Sequence, residues 1–326
     1  MKKLVVGIDI SKDTLDFCIL ESEGVTINGR GQLQNSSKQI KKWLDGFNRE
    51  QARFVMEHTG HYGMELIQSL AGAGHDFYLI NPLELKRSMG IQRGKSDRVD
   101  AYRIAEYGIT NRHKLTPFVL PTENLVRLRA LMTARQRYVK IAVQVKNSIR
   151  ANEILGRTVD VKSLLREERR QLAQVERTIA SLERQMNEAI ASDQAIRQTY
   201  GKITKVTGVG PIIAMKCIVE TDNFTRFTDP RKFCSHGGLA PFPYQSGSSI
   251  KGRNRTHHLR DRTLKALLIR GATTAVRHDP QLKRYYNRKT GEGKHHMSVI
   301  NAVANKLVLR IFAVAKRDEP FVKLAA

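Results

Sequence analysis

The segment Leu4-Val5-Val6-Gly7-Ile8-Asp9-Ile10 constrains the fold most, because it reads as a buried strand that carries a carboxylate near its end. A carboxylate there is expensive to bury without a partner. A second apolar run, Phe54-Val55-Met56, delivers Glu57 in the same way and is closed by Thr59-Gly60. Two more acids, Asp97 and Asp100, open a helix whose apolar side is Ala101, Ile104, Ala105 and Gly108. Their i, i+3 spacing puts both on one face, about one turn apart. Two readings of that pair stand. Ser96 caps the helix and the acids complement its positive end, or the acids join Asp9 and Glu57 in holding metal ions. An Asp-Glu-Asp-Asp set can hold two hard cations for in-line phosphoryl displacement.

The order of elements gives this set a frame. Leu4–Ile10, Thr14–Glu21 and Gly24–Gln34 read as three strands. Ser36-Ser37 starts a helix with Ile40, Trp43, Leu44 and Phe47 on one face. A strand at Phe54–Glu57, a helix at Tyr62–Ala73 and a strand at Phe77–Ile80 follow. Three strands, helix, strand, helix, strand and then the acidic helix is a ribonuclease-H-like order, with Asp9 on the first strand and the helical pair facing it.

From Thr122 to about Leu155 one helical pattern carries Arg127, Arg129, Arg135, Arg137, Lys140, Lys146 and Arg150, which suits either a solvated face or a phosphate backbone. Heptads follow: Val161, Leu165, Leu172, Val175, Ile179, Leu182, Met186 and Ala189 fall at a/d positions, interrupted by Glu168. Such a rod of roughly 45 Å can pack back on its own domain, but a lone amphipathic helix of this length favours self-association.

Lys plus Arg number 56 against 31 Asp plus Glu, so the chain carries +25 and suits a polyanion. Of these, 24 basic and 8 acidic residues fall between Tyr200 and Ala326, which puts the main polyanion surface in the C-terminal part. No apolar run approaches a bilayer span and no signal region precedes the first strand, so nucleic acid is preferred over a membrane and a cytoplasmic location is expected. Cys18, Cys217 and Cys234 are far apart and lack zinc-site spacing.

In the last third, Gly208-Val209-Gly210 resembles the turn of a helix-hairpin-helix module, where glycines let backbone N–H groups meet a phosphate, although an ordinary helix-linking turn reads as well. Beyond Gly238-Leu239-Ala240-Pro241, a loop Gln245-Ser246-Gly247-Ser248-Ser249 runs into Lys251, Arg253 and Arg255, so a loop hydroxyl sits beside cations. Helices are expected from about Leu259 to Val276 and from Val299 to Ala315.

Gly7-Ile8-Asp9, Glu57-His58-Thr59-Gly60, Lys95-Ser96-Asp97-Arg98-Val99-Asp100-Ala101, Gly208-Val209-Gly210, Gly238-Leu239-Ala240-Pro241 and Gln245-Ser246-Gly247-Ser248-Ser249 together resemble bacterial insertion-sequence transposases with a DEDD RuvC-like domain and a C-terminal serine domain, the bridge-RNA-guided recombinases. The resemblance implies an α/β RuvC-like domain over 1–155, an all-α central coiled coil over 156–198 and a C-terminal helical transposase domain over 199–326. It also implies that Asp9, Glu57, Asp97 and Asp100 hold Mg2+, in a two-metal site, and that Ser246 is the nucleophile of a 5′-phosphoserine intermediate. Donor and target DNA, a noncoding bridge RNA and a dimer-to-tetramer assembly are the partners it implies.

Pilin-type invertases share these motifs, so transposition and inversion are both open. A RuvC-like junction nuclease would keep the four acids and need no serine. A sugar kinase or actin-like ATPase also begins near Gly-Ile-Asp-Ile, but no second glycine-rich phosphate motif follows and +25 suits it poorly.

Overall fold

The computed structural model describes residues 4–21, 26–58, 60–88, 97–246 and 250–317, in two compact units, Met1–Leu120 and Pro121–Ala326. In the first unit β1 (Leu4–Ile10), β2 (Thr14–Glu21) and β3 (Ile27–Gln34) form an antiparallel meander. Helix α1 (Ser37–Leu44) leads to β4 (Ala52–Glu57); a tight turn at Gly60–Gly63 and α2 (Met64–Gly72) lead to β5 (Asp76–Ile80); then come α3 (Pro82–Ser88) and α4 (Asp97–Thr110). The sheet order is β3-β2-β1-β4-β5, with β4 parallel to β1 and β5 parallel to β4, the ribonuclease-H-like arrangement expected.

Strand alternation sorts the side chains. Val6, Ile8, Ile10, Phe54 and Met56 pack on Ile40 and Leu44 of α1 and on Leu66 and Leu70 of α2. On the opposite face Val5, Val55, Tyr78 and Ile80 meet Ile104 and Tyr107 of α4, while Cys18 and Leu20 meet Ala101 and Ala105. Period two then assigns Gly7, Asp9, Asp16 and Glu57 to the α4 face.

Gly7 is required by that helix. A Cβ there would lie 2.3 Å from both the Ala101 carbonyl oxygen and the Ala105 backbone nitrogen. At the other end of the contact, a Cβ on Gly108 would lie 2.8 Å from Val55 Cγ2 and 2.9 Å from Val5 Cγ1. Gly108 over Val5 and Ala101 over Gly7 mean that α4 runs antiparallel to β1. Its first turn, with Asp97 and Asp100, therefore arrives at Asp9.

The second unit opens with α5 (Glu123–Leu155) and α6 (Lys162–Ala191), which pack as a helical hairpin. Val175, Met186 and Ala189 of the heptad stripe are buried, and Val161, Leu165, Leu172, Ile179 and Leu182 are half-buried. The stripe expected to seek a partner chain is thus covered to this extent within its own chain. Glu168, the polar interruption, accepts hydrogen bonds from Asn152 Nδ2 (3.0 Å) and from the Ser148 hydroxyl of α5. Leu125 and Leu128 of α5 belong to the core of the second unit.

Helices α7 (Gln194–Ile203), α8 (Pro211–Thr221) and α9 (Pro230–His236) follow. The stretch expected from sequence to be a loop is instead a hairpin of β6 (Phe242–Ser246) and β7 (Ile250–Arg255). Then come α10 (Arg262–His278), α11 (Pro280–Gly291), which was not expected from the sequence, and α12 (His296–Lys316). By length and composition α12 could cross a membrane, yet half of its apolar stretch is buried, and it packs on α7, α9, α10 and α11 as the spine of this unit.

Gly7→Ala should destabilise the first unit by about 1–3 kcal/mol, because the added methyl meets backbone that cannot yield locally. Gly72→Ala, with nothing within 4 Å of its new Cβ, should be neutral or slightly stabilising. Denaturant unfolding of both variants checks this; equal midpoints would mean that α4 does not depend on the missing Cβ.

Candidate active site

The four sequence-predicted acids converge in the first unit. Asp9 lies near the end of β1, one residue past the last β1–β4 pair, Ile8 with Met56, and Glu57 ends β4. The carboxyl of Asp9 is pushed up from 3.8 to about 6, first by burial, then by the negative charges of Asp100, Asp97, Glu57 and Asp16 in that order. All four acids therefore act on one point. Asp100 is steadied by Arg103, whose Nη1 lies 3.1 Å from Asp100 Oδ1. The proposed Ser96 cap lies outside the described residues.

Asp16 is the member that sequence reasoning missed. It pairs directly across from Asp9 in the β1–β2 hairpin, is buried, and accepts a hydrogen bond from Gln32 Nε2 at 2.9 Å. The signal was present: counting outward from the Ser11–Asp13 turn sets the two aspartates opposite each other and on one face.

Like charges at this density are relieved by a cation, and a purely carboxylate donor set suits a hard divalent ion. The four acids fit such an ion. Among the described residues, however, the three ligand-bearing groups within 4.8 Å of one another are Glu220, His236 and Asp261, in the second unit. No trio from the acidic set is that tight.

In the second unit Ser246 is the last residue of β6, and its backbone pairs with Ile250 of β7. Gly247, Ser248 and Ser249 lie outside the described residues. Lys251 and Arg253 are on β7, where Lys251 pairs with Gln245, and Arg255 is exposed at its end. Burial pushes the thiols of Cys217 and Cys234 up to about 12, which leaves both protonated and without nucleophilic character.

The cations proposed on α5 divide into two groups. Arg129 Nη2 donates to the Val219 carbonyl at 2.9 Å and to Asp222; Arg135 Nε lies 2.7 Å from Glu183 Oε1; Lys146 Nζ lies 2.8 Å from Glu176 Oε1. These three fasten α5 to α6 and to the end of α8. Arg127 and Arg150 are exposed. Gly208 has φ +93°, and a Cβ there would lie 2.5 Å from the Gly271 carbonyl oxygen, so the crossing with α10 accounts for this glycine. Gly210 is the exposed N-cap of α8 with open space beside it.

Two family models match the chain: a DEDD model of the IS110 type, described as "Transposase", over residues 6–155, and "Transposase IS116/IS110/IS902 family" over residues 200–287. The "Pilin gene-inverting protein" of Moraxella bovis is 24% identical over 99% of both chains. The "Transposase for insertion sequence element IS1111A" of Coxiella burnetii is 23% identical over 97% of this chain and 91% of its own. Among solved structures, T. thermophilus RuvC in complex with a Holliday junction substrate covers 35% of this chain and 99% of its own, at 13% identity and a TM-score of 0.27.

The raised Asp9 has a thermodynamic sign. Between pH 3.8 and about 6 the folded chain keeps a proton that the unfolded chain has released, so stability from this position falls as pH rises through that window and is level above it. Asp9→Asn should therefore melt higher than wild type at pH 7.5 in chelator, with a smaller gain at pH 4. Added magnesium should raise the wild type alone. Thermal unfolding in the four conditions checks both, and a wild type indifferent to magnesium would count against a cation at this site.

Proposed function

The chain belongs to the IS110 family of insertion-sequence transposases, DNA phosphoryl-transfer enzymes whose DEDD domain uses divalent metal, and on that premise we propose that it cuts and rejoins DNA through Ser246 under the direction of a noncoding RNA. The observation that carries the chemistry is the Asp9 carboxyl, pushed up first by burial and then by the charges of Asp100 and Asp97 on α4 and of Glu57 and Asp16 on the sheet. That arrangement suits two Mg2+ ions, held by Asp9, Glu57, Asp97 and Asp100, which when bound supply positive charge for the scissile phosphate and the leaving oxygen.

Each step is then an exchange of one P–O bond for another. The Ser246 hydroxyl attacks phosphorus, its proton passes to solvent, and the departing 3′-oxygen takes a proton up. A 5′-phosphoserine linkage results, and attack on it by a free 3′-hydroxyl releases the serine and rejoins DNA without an external energy source. Serine needs activation for this, and the sequence flanking Ser246 offers no local His or Asp triad. Lys251, Arg253 and Arg255 on the same hairpin supply charge for the phosphate, with Arg127, Arg150 and Gly210 as further backbone contacts. Assembly as a dimer or tetramer would let two DNA segments be held and exchanged together, in the cytoplasm where bacterial DNA lies.

The likeness to the Moraxella inverting protein along the full chain supports a second reading, inversion of a DNA segment, by the same chemistry. The test uses a duplex carrying both flanks of this reading frame together with RNA transcribed from them. Ser246→Ala should form no covalent protein–DNA adduct. Asp97→Asn should lose at least about 100-fold in cleavage while binding DNA with the salt dependence of wild type. Peptide mapping of the adduct decides: DNA on another serine, or cleavage without any adduct, would overturn the serine mechanism and favour a hydrolytic nuclease. Cleavage should also fall below pH about 6 as Asp9 takes up its proton.

A further inference from the structure

Among the described residues, the β6–β7 hairpin presents its side chains to solvent. Phe242 is 49% exposed, and Pro241, Pro243, Gly252, Asn254 and Arg255 are exposed as well. A lone two-stranded hairpin is marginal in water, so its direction must be set where it joins the helices.

Both limbs meet one set of charges at that junction. On the entering side α9 ends at His236; Gly238 takes φ +64°, where a Cβ would lie 2.2 Å from Arg260 Cδ of the returning limb. Buried Leu239 follows, and its carbonyl accepts from Asn301 Nδ2 at 2.7 Å and Asn305 Nδ2 at 3.1 Å, both on α12. On the returning side Asp261 caps α10 through Oδ1, accepting from the backbone N–H groups of Thr263 and Leu264. The Asp261 N–H donates to the His236 carbonyl at 2.9 Å and so ties limb to limb.

The side chains repeat the tie through α8. Lys216 Nζ lies 2.8 Å from Asp261 Oδ2 and 2.7 Å from Glu220 Oε1, and Glu220 Oε2 lies 3.2 Å from His236 Nε2. The path Asp261–Lys216–Glu220–His236 and the backbone bond close a ring. Burial raises the Glu220 carboxyl, but hydrogen bonds from His236 and Lys216 and the charge of Lys216 outweigh it and bring the group down to about 2. Glu220, His236 and Asp261 have the makeup of a metal site, yet the Lys216 ammonium already bonds both carboxylates, so the protein provides its own cation.

We infer that the ion network of Lys216, Glu220, His236 and Asp261 fixes the pose of the hairpin that carries Ser246, which makes Glu220 and His236 positioning residues for strand cleavage. The inference rests on the reading of Ser246 as nucleophile. Neither residue touches the reacting atoms; each acts by holding a hairpin limb to α8. A displacement of about 1 Å at a reacting group can cost on the order of 100-fold in rate, so a loosened junction shows as slow chemistry with DNA binding intact.

The test uses the full chain with nitroxide labels at Asn254→Cys on β7 and Ala313→Cys on α12, both exposed, while the three native cysteines are buried. A second pair, Thr274→Cys on α10 and Ala313→Cys, reports on the helical core. Glu220→Gln and His236→Ala should broaden the hairpin distance distribution and leave the core distance sharp. His236→Gln, which keeps a donor toward Glu220, should restore the narrow distribution. In single-turnover reactions with the flank duplex and flank RNA, His236→Ala should lower the rate of adduct formation by about 10- to 100-fold at unchanged amplitude and DNA affinity. A structural role alone would lower amplitude and spare the rate. An unchanged hairpin distance in both variants, or a broadened distance with an unchanged rate, overturns the inference. If Ser246→Ala still forms the adduct, the serine reading fails by itself, and the distance measurement still decides whether the network holds the hairpin.

Discussion

The close approach of α4 to β1 at Gly7 is the contact on which the acidic site depends. Backbone lies against backbone there, with Ala101 and Ala105 as the side chains small enough to share the crossing. A larger residue at any of the three would lift the helix off the sheet and carry Asp97 and Asp100 away from Asp9. The small residues thus act on the chemistry indirectly, through a distance, and the five acids are brought together by packing that contains no charge.

That arrangement sets packing against electrostatics. The apolar contacts on both faces of the sheet hold carboxylates where burial first, and then mutual repulsion, opposes ionisation, and Asp9 shows this in a carboxyl pushed up to about 6. The second unit resolves the same problem differently. Its acids Glu220, Asp222, Asp261 and Asp279, all buried or half-buried, each have a cation beside them: Lys216 for the first and third, Arg129 for the second, Arg310 for the last. In the first unit a cation also stands beside Asp100, in Arg103, while Asp9 lies amid the charges of Asp100, Asp97, Glu57 and Asp16.

The first unit is legible in the sequence because its signals are local. Leu4–Ile10 and Thr14–Glu21 have the bounds that their apolar runs suggest, and the positions of Asp9 and Glu57 follow from them. Asp16 is harder to see, because its apolar run does not carry its register, which shows only on counting outward from the Ser11–Asp13 turn. In the second unit the deciding contacts join residues far apart in sequence. The partners of Arg129, Arg135 and Lys146 are Asp222, Glu183 and Glu176, which no window around the basic helix contains. The hairpin of Ser246 is hidden for another reason: Pro, Gly and Ser weaken every strand signal, and the bond that joins the chain before and after it, from the Asp261 N–H to the His236 carbonyl, spans 25 residues.

The internal pairing of α5 also changes what +25 means for a polyanion. A guanidinium bonded to a glutamate is already neutralised, and forcing it onto a phosphate would strand the glutamate. On the same helix Arg127 and Arg150 lie exposed, outside these pairs. Arg129, Arg135 and Lys146 thus serve as fastening within the second unit, and the basic count of α5 overstates by those three the charge that it leaves unpaired.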